Sequence, residues 1–160
     1  MWSSAARLMG RSGGAAVAMA LAMAVAACGS SPTRVEVTIT GSEDLNPDPD
    51  GRPKPLVVRM YELKSDTAFK GASFDDLIEG DVANLGADLQ AKEELLLTPG
   101  QVLELERELQ PQTRFVGFTG NYRLYERGGL WRAAVDVPEG ETTEIKVDFK
   151  RAEIAVEADD

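Results

Sequence analysis

The sequence contains no histidine, and this absence removes several classes of chemistry. Histidine is the commonest general base near neutral pH, a member of serine triads and a frequent zinc ligand. No Ser-x-x-Lys run supplies an alternative dyad, and no glycine-rich phosphate loop opens a helix. With 27 acidic residues, some pair always falls at a glycosidase-like spacing, so their number indicates nothing about catalysis. The sequence predicts a protein that is not an enzyme and that uses no cofactor or metal.

Cysteine is nearly absent as well, since Cys28 is the only one and ends the run Val25-Ala26-Ala27-Cys28. The uncharged stretch Gly13–Ala27 precedes it, after a basic start that carries Arg7 and Arg11. A positive leader, a short apolar segment and small residues before a cleavage point are typical of a secretory signal peptide. At 15 residues the stretch is shorter than the roughly 20 that span a bilayer, which favours cleavage over permanent anchoring.

An aliphatic residue, two small residues and a cysteine resemble the bacterial lipobox, in which the thiol receives a diacylglycerol. On this interpretation residues 1–27 are a lipoprotein signal peptide, Cys28 is the acylated terminus and residues 28–33 are a short tether. Several acyl chains hold a protein on a membrane durably, because each buried methylene contributes roughly 0.8 kcal/mol. Gly29 stands where an aspartate usually retains such proteins in the inner membrane, so in a host with two membranes the outer membrane is expected. The alternative is a plain Ala-x-Ala signal followed by a chance cysteine.

Basic residues are few, with 17 against 27 acidic residues in the whole chain. Because the leader holds two of the basic residues and no acidic one, the mature chain carries a net charge of −12. A surface of this sign repels nucleic acid and anionic lipid. The charge excludes a nucleic-acid partner and fits a protein partner with a positive patch.

The remaining 133 residues are enough for one domain, and their hydrophobic pattern is mostly that of strands. Ile154 with Val156 either extends the last strand or forms an eighth. Residues 65–90 are helical in pattern instead, with a Ser73/Asp76 capping box. In that segment Phe69, Phe74, Leu77 and Ile78 are expected to face the strands. The predicted strands span residues 35–39, 56–63, 94–97, 102–109, 113–122, 130–137 and 143–149.

This order of elements predicts an all-β fold, a β-sandwich of seven or eight strands over residues 34–160 with a small helical insertion. Residues 102–109 also have helical propensity, because Leu, Glu and Gln dominate them. The Pro99-Gly100 turn before them and Pro111 after them favour a strand.

The most unusual internal segment is the loop Leu45–Pro55, which holds four prolines, a glycine and turn-forming Asn and Asp residues. Such a loop is stiff and suits a preformed binding surface, or serves only as a rigid connection. Calcium is a further alternative, because Asn46, Asp48, Asp50 and Gly51 match the first half of an EF-hand loop. The twelfth position would be Val57, which has no carboxylate.

Aromatic residues make up only 6% of the chain, and several crowd one region. Core packing explains most of them, although Tyr122 and Tyr125 could contribute to a contact surface with Arg123 and Arg127. The group comprises Phe115, Phe118, Tyr122, Tyr125 and Trp131.

Together these features resemble the outer-membrane lipoprotein of the type VI secretion system, the TssJ family. The likeness covers nearly all of the mature chain, in order, and is therefore more specific than a single motif. The segments that carry it are the lipobox at Cys28, Leu45–Asp48, Gly51–Pro53, Pro55–Lys64, Ala68-Phe69, Leu85–Leu89, Thr98–Gly100, Arg114–Gly117 and Trp131–Ala133.

The resemblance implies a transthyretin-like β-sandwich with a structural role beneath the outer membrane. It implies binding to the periplasmic domain of the inner-membrane secretion protein TssM, together with further outer-membrane-complex proteins. In that family the loop between the first two strands is implicated in the contact. The role carries over to Asn46, Pro47, Asp48, Gly51, Arg52 and Pro53. A periplasmic, lipid-anchored binding module for a small ligand or calcium is the alternative function.

Overall fold

The computed structural model describes residues 31–127 and 129–159, and the predicted signal peptide and Cys28 lie outside them. The described residues form eight strands in two four-stranded sheets, ordered β4–β1–β7–β8 and β3–β2–β5–β6. Neighbouring strands are antiparallel except β1 and β7. The strands are β1 (Arg34–Gly41), β2 (Leu56–Leu63), β3 (Leu89–Leu97), β4 (Val102–Glu108), β5 (Phe115–Gly120), β6 (Arg132–Asp136), β7 (Thr142–Phe149) and β8 (Ile154–Asp159). The helices are α1 (Thr67–Gly71) and α2 (Phe74–Leu85), followed by a 3₁₀ turn at Gly86–Asp88, and a second 3₁₀ turn covers Tyr125–Arg127.

The main core lies between the two sheets and follows from the alternation in the strands. In β1 the side chains of Val35, Val37 and Ile39 point inward, while Glu36 and Thr38 point out. Of the predicted aromatic group, Phe118 and Tyr122 are fully buried and the others are half-buried. The β-sandwich prediction is confirmed, and residues 154–159 form a true eighth strand.

A second, smaller core lies on the outer face of the β3–β2–β5–β6 sheet, where α1 and α2 cover Tyr61 and Leu63. The capping box is present, since Ser73 Oγ accepts from the Asp76 backbone N–H and the Asp76 carboxylate accepts from the Ser73 N–H. Phe69 and Leu77 are fully buried as predicted, whereas Phe74 and Ile78 are half-buried.

The boundary between the helical insertion and the next strand differs from the prediction. Helical structure ends at Asp88, and β3 begins at Leu89 rather than at residue 94. The polar residues of Ala91–Glu94 have weak strand propensity, but they pair with β2, where Lys92 lies opposite Tyr61 and Glu94 opposite Arg59. Pairing with a neighbouring strand therefore overrides local propensity here.

The strand directions define two ends of the sandwich. The connections 42–55, 98–101, 121–131 and 150–153 lie together at one end, named the loop end here. Residues 31–33, the helical insertion and the connections 109–114 and 137–141 begin or end at the other, named the tether end. Since a strand rises about 3.3 Å per residue, the eight residues of β1 separate the two ends by roughly 26 Å.

A candidate docking loop at the end of the sandwich

Asn46 joins three of the connections at the loop end. Its side-chain Nδ2 donates to the Pro55 carbonyl at 3.0 Å, and its Oδ1 accepts from the Arg123 backbone N–H at 3.0 Å. Its own backbone N–H donates to the Arg151 carbonyl at 3.1 Å. The residue is 5% exposed and has a φ of 45°, a left-handed conformation that asparagine tolerates better than most residues. Asn46 therefore fixes the β1–β2 loop against the β5–β6 and β7–β8 connections.

Asp48 closes a tight turn within the same loop. Its Oδ1 accepts from the backbone N–H groups of Asp50 at 3.0 Å and Arg52 at 2.9 Å. Its Oδ2 lies 3.3 Å from Lys54 Nζ, and Gly51 turns the chain with a φ of 80°. The hydrogen bond from Arg52 is the main reason that the pKa of the Asp48 carboxyl lies below its usual value.

The six predicted contact residues therefore divide into two groups. Pro47 is buried like Asn46, and the Asp48 carboxylate accepts hydrogen bonds from the backbone of its own turn. By contrast Gly51, Arg52 and Pro53 are exposed, and the Arg52 side chain is 69% accessible beside Asp50 at 3.3 Å. The first three residues give the loop its shape, and the last three are displayed on it.

The loop does not assemble the ligands of a calcium site. Both Asp48 oxygens already have partners, and Asn46 uses its amide inside the fold. Across residues 31–127 and 129–159, no cluster of three acidic or cysteine side chains is placed to hold a metal ion. The same ranges contain no helix long and apolar enough to cross a membrane.

Beside the loop runs a groove of about 640 Å³ between the start of the β1–β2 loop and the β7–β8 turn. Charged groups line much of it, and Asp44 pairs with Arg151 at 3.6 Å. The β7–β8 turn therefore forms part of the surface beside the β1–β2 loop.

Sequence reasoning missed an ion network around the buried Asp81 that holds α2 on the sheet. Asp81 accepts from Tyr61 OH at 3.1 Å and from Lys92 Nζ at 2.9 Å, while Arg59 NH1 lies 3.6 Å away. Arg59 also donates to Glu94 at 2.8 Å. Burial alone would raise the pKa of Asp81, but the hydrogen bond from Lys92 keeps it below its usual value. The sequence did hold one signal for this network. Asp81 follows the apolar Leu77 by four residues, which places its carboxylate on the buried side of the helix.

Comparison with known proteins places most of the described residues in one family. The family model for the type VI secretion lipoprotein (VasD, EvfM, TssJ, VC_A0113) matches residues 33–152. A crystal structure of the type VI secretion lipoprotein TssJ1 from Pseudomonas aeruginosa is 38% identical, covers 81% of this chain and 98% of its own, and superposes with a TM-score of 0.77.

More distant solved structures share the fold. Lip of Serratia marcescens, described as a membrane-bound component of the type VI secretion system, is 23% identical with a TM-score of 0.73. That match covers 79% of this chain and 96% of Lip. A chain in the structure described as the TssM C-terminal domain (869–1107) from EAEC is 21% identical with a TM-score of 0.63. That match covers 78% of this chain and 98% of the other.

A search of curated proteins gave no match. The family model nevertheless spans most of the chain, and the similarity to TssJ1 extends over the same sandwich. The chain belongs to the TssJ family of type VI secretion lipoproteins.

Proposed function

We propose that this lipoprotein sits in the outer membrane and anchors the type VI secretion membrane complex by binding the periplasmic part of a TssM-like inner-membrane protein. The observation that carries the proposal is the preformed β1–β2 loop, displayed at the end of the sandwich opposite the tether. Gly51, Arg52 and Pro53 make the contact, and Asn46, Pro47 and Asp48 shape the surface that presents them.

The loop is suited to binding because it is ordered before the partner arrives. A flexible loop loses entropy when it binds, whereas the turn at Asp48 and the buried Asn46 hold this one in place already. Affinity then depends on complementarity rather than on ordering of the chain.

The anchor is expected at Cys28, and the domain is fastened close to it. Thr33 Oγ1 accepts from the Gly140 N–H at 2.9 Å, and its carbonyl accepts from the Leu109 N–H at 2.9 Å. The folded domain thus begins about five residues after Cys28. An acylated Cys28 holds the tether end next to the membrane and leaves the loop end facing the periplasm. Restriction to the membrane raises the effective concentration for a partner in the same envelope.

The similar proteins support this assignment. The family consists of structural secretion components, the description of Lip places that protein on a membrane, and another fold relative comes from a structure described by the TssM C-terminal domain. Further proteins of the outer-membrane complex are expected to join the assembly. A non-enzymatic role accords with the absence of histidine.

The test is co-purification of TssM with the tagged lipoprotein from detergent-solubilised envelopes. Arg52→Glu reverses one exposed charge on the loop and is expected to reduce the recovered TssM at least about tenfold. Lys146→Glu makes the same charge change on the exposed face of β7 and serves as the matched control, with recovery like the wild type. Absence of TssM from the wild-type sample would refute the proposal. Recovery of TssM at the wild-type level with both variants would place the contact away from Arg52.

A further inference from the structure

Tyr125, which the sequence allowed as part of a contact surface, is stacked against the helical insertion instead. Its ring and that of Phe74, the first residue of α2, are almost parallel at 3°, and their centres are 3.7 Å apart. Both side chains are half-buried. Since Tyr125 lies in the 3₁₀ turn of the β5–β6 connection, the stack joins that connection directly to α2.

Phe74 is held in place from the helical side. The capping box of Ser73 and Asp76 fixes the first turn of α2 around it. Just before that turn, the Arg132 guanidinium donates to three backbone carbonyls at the end of α1. They belong to Phe69, Lys70 and Ala72. The last carbonyls of a helix have no partner within the helix, and a cation is favourable beside them.

Trp131 connects the stack to the strands. Its ring meets that of Phe74 edge-on, at 78° with the centres 5.1 Å apart, and Arg132 Cζ lies 4.6 Å from the centre of the Trp131 ring. Trp131 packs against both hydrophobic cores and directly precedes β6. Phe74 therefore contacts the β5–β6 connection at two places, at Tyr125 and at its last residue.

The same connection also contacts the β1–β2 loop. The Arg123 N–H, two residues before Tyr125, donates to Asn46 Oδ1 at 3.0 Å. Tyr122 is buried, and its hydroxyl donates to the Glu153 carbonyl at 2.8 Å. Residues 122–125 thus join the β1–β2 loop through Arg123 and join α2 through Tyr125.

We infer that Phe74 is a positioning residue, which holds the β5–β6 connection in the conformation that keeps Asn46 and the β1–β2 loop ready for the partner. The inference rests on the proposed function and gives the helical insertion a part in it, although no residue of α2 has to touch the partner. A loop loses less entropy on binding when the segments that support it are ordered beforehand.

Only the first half of α2 takes part in this contact. The helix is interrupted at Gly80, where a φ of −139° and a ψ of 30° are not helical. Asp81 lies after the break and binds Tyr61 and Lys92 rather than the aromatic stack. A substitution at Asp81 therefore loosens the insertion without removing the contact of Phe74 with Tyr125.

The first measurement is hydrogen exchange of the full-length lipoprotein in detergent, without a partner. Phe74→Ala removes the ring, and the Arg123 amide is expected to lose protection about three- to tenfold, as loss of a close aromatic contact implies. Phe74→Tyr keeps the ring and is expected to exchange like the wild type. Asp81→Ala is the control and is expected to leave the protection of Arg123 unchanged. Full protection of Arg123 in Phe74→Ala would overturn the inference.

The second measurement titrates the TssM periplasmic domain against the same variants. Phe74→Ala is expected to weaken binding about three- to tenfold, whereas Phe74→Tyr restores it and Asp81→Ala binds like the wild type in spite of its lower stability. Tyr125→Ala should weaken binding as much as Phe74→Ala. The double variant should weaken it no further, because both substitutions remove one shared contact.

The outcomes separate the inference from the proposed function. Loss of Arg123 protection with full affinity for TssM would overturn the positioning role and keep the function. An equal loss of affinity for Asp81→Ala would overturn it as well, because general stability of the insertion would then be the cause. No binding by the wild type would remove the proposed function, and the positioning role with it, even if the stack protects Arg123.

Discussion

At each end of the sandwich a buried polar side chain holds the connecting segments together, but the two ends expose different surfaces. At the loop end Asn46 joins three connections. At the tether end the buried Glu62 carboxylate accepts from the Gln110 N–H at 2.7 Å and from Thr113 Oγ1 at 2.9 Å. Among the residues described, only the loop end adds a proline-rich turn with exposed residues at its tip.

The difference separates stability from recognition. Buried polar groups that are fully hydrogen-bonded fix the conformation at either end, so rigidity alone does not identify a binding site. Exposed groups beyond those needed for the fold are the distinguishing feature. The comparison therefore supports the proposal that the tether end serves attachment and the loop end serves recognition.

The largest expected effect comes from removing the attachment. Cys28→Ser is expected to reduce effector release to background, because an unacylated protein loses its concentration at the membrane. The melting temperature should stay unchanged, since the sandwich begins after Cys28. An effector-release assay checks the first expectation, and thermal melting of the purified variant checks the second. Normal release by this variant would contradict the role of the anchor.

A large loss of stability is expected from Asp81→Ala in the helical insertion. Removing the carboxylate leaves the buried Tyr61 hydroxyl without its carboxylate acceptor and Lys92 without its partner, while Arg59 keeps Glu94, and loss of an acceptor for a buried hydroxyl costs about 1–3 kcal/mol. Chemical denaturation measures the change, with Glu79→Ala as an exposed control on the same helix, expected within about 0.5 kcal/mol of the wild type. Partner affinity of the folded fraction should be unchanged. A marked loss of affinity would extend recognition beyond the loop end.

Asn46→Ala is expected to affect stability and recognition together. The substitution leaves the Pro55 carbonyl and the Arg123 N–H without their partners, a loss of about 1–3 kcal/mol. Partner affinity should fall as well, because the loop is then free to move. Asn121→Ala is the control at an exposed asparagine of the same end. Reduced stability with full affinity would show that loop order is irrelevant to binding.

The smallest effect is a dependence of the loop on pH. The pKa of Asp48 is lowered in the folded state, so its carboxylate stabilises the turn above the ordinary value near 4. That contribution is lost as the pH falls through the folded-state pKa. Exchange of the Arg52 amide hydrogen, referred to its intrinsic rate, should thus show less protection near pH 3 than near pH 5. Asp48→Asn should lose this dependence, and an unchanged dependence would assign it to another group.

Strand positions could be predicted from the sequence where alternation was strong. The predicted and observed limits of β2 agree at Leu56–Leu63, because both of its faces are apolar. The start of β3 could not be predicted, since its polar residues are held by pairing with Arg59 and Asp81, which are distant in sequence. Long-range contacts of this kind leave little local signal.

The sequence predicted which segment forms the candidate site, but not which of its residues are buried and which are exposed. Prolines and turn residues indicated a stiff loop over residues 45–55. Asn46 is buried because it bonds to the backbone of Arg123 and Arg151, which belong to two later connections. The sequence of the loop alone therefore did not show that Asn46 is buried while Arg52 is exposed.

The most direct measurement is site-specific photocrosslinking in intact cells. A photoreactive residue at position 52 reports on the loop end, and one at the exposed Gln112 reports on the tether end. The account predicts a crosslink from position 52 to the large inner-membrane protein and none from position 112. A crosslink from position 112 with none from position 52 would contradict the assignment of recognition to the loop end.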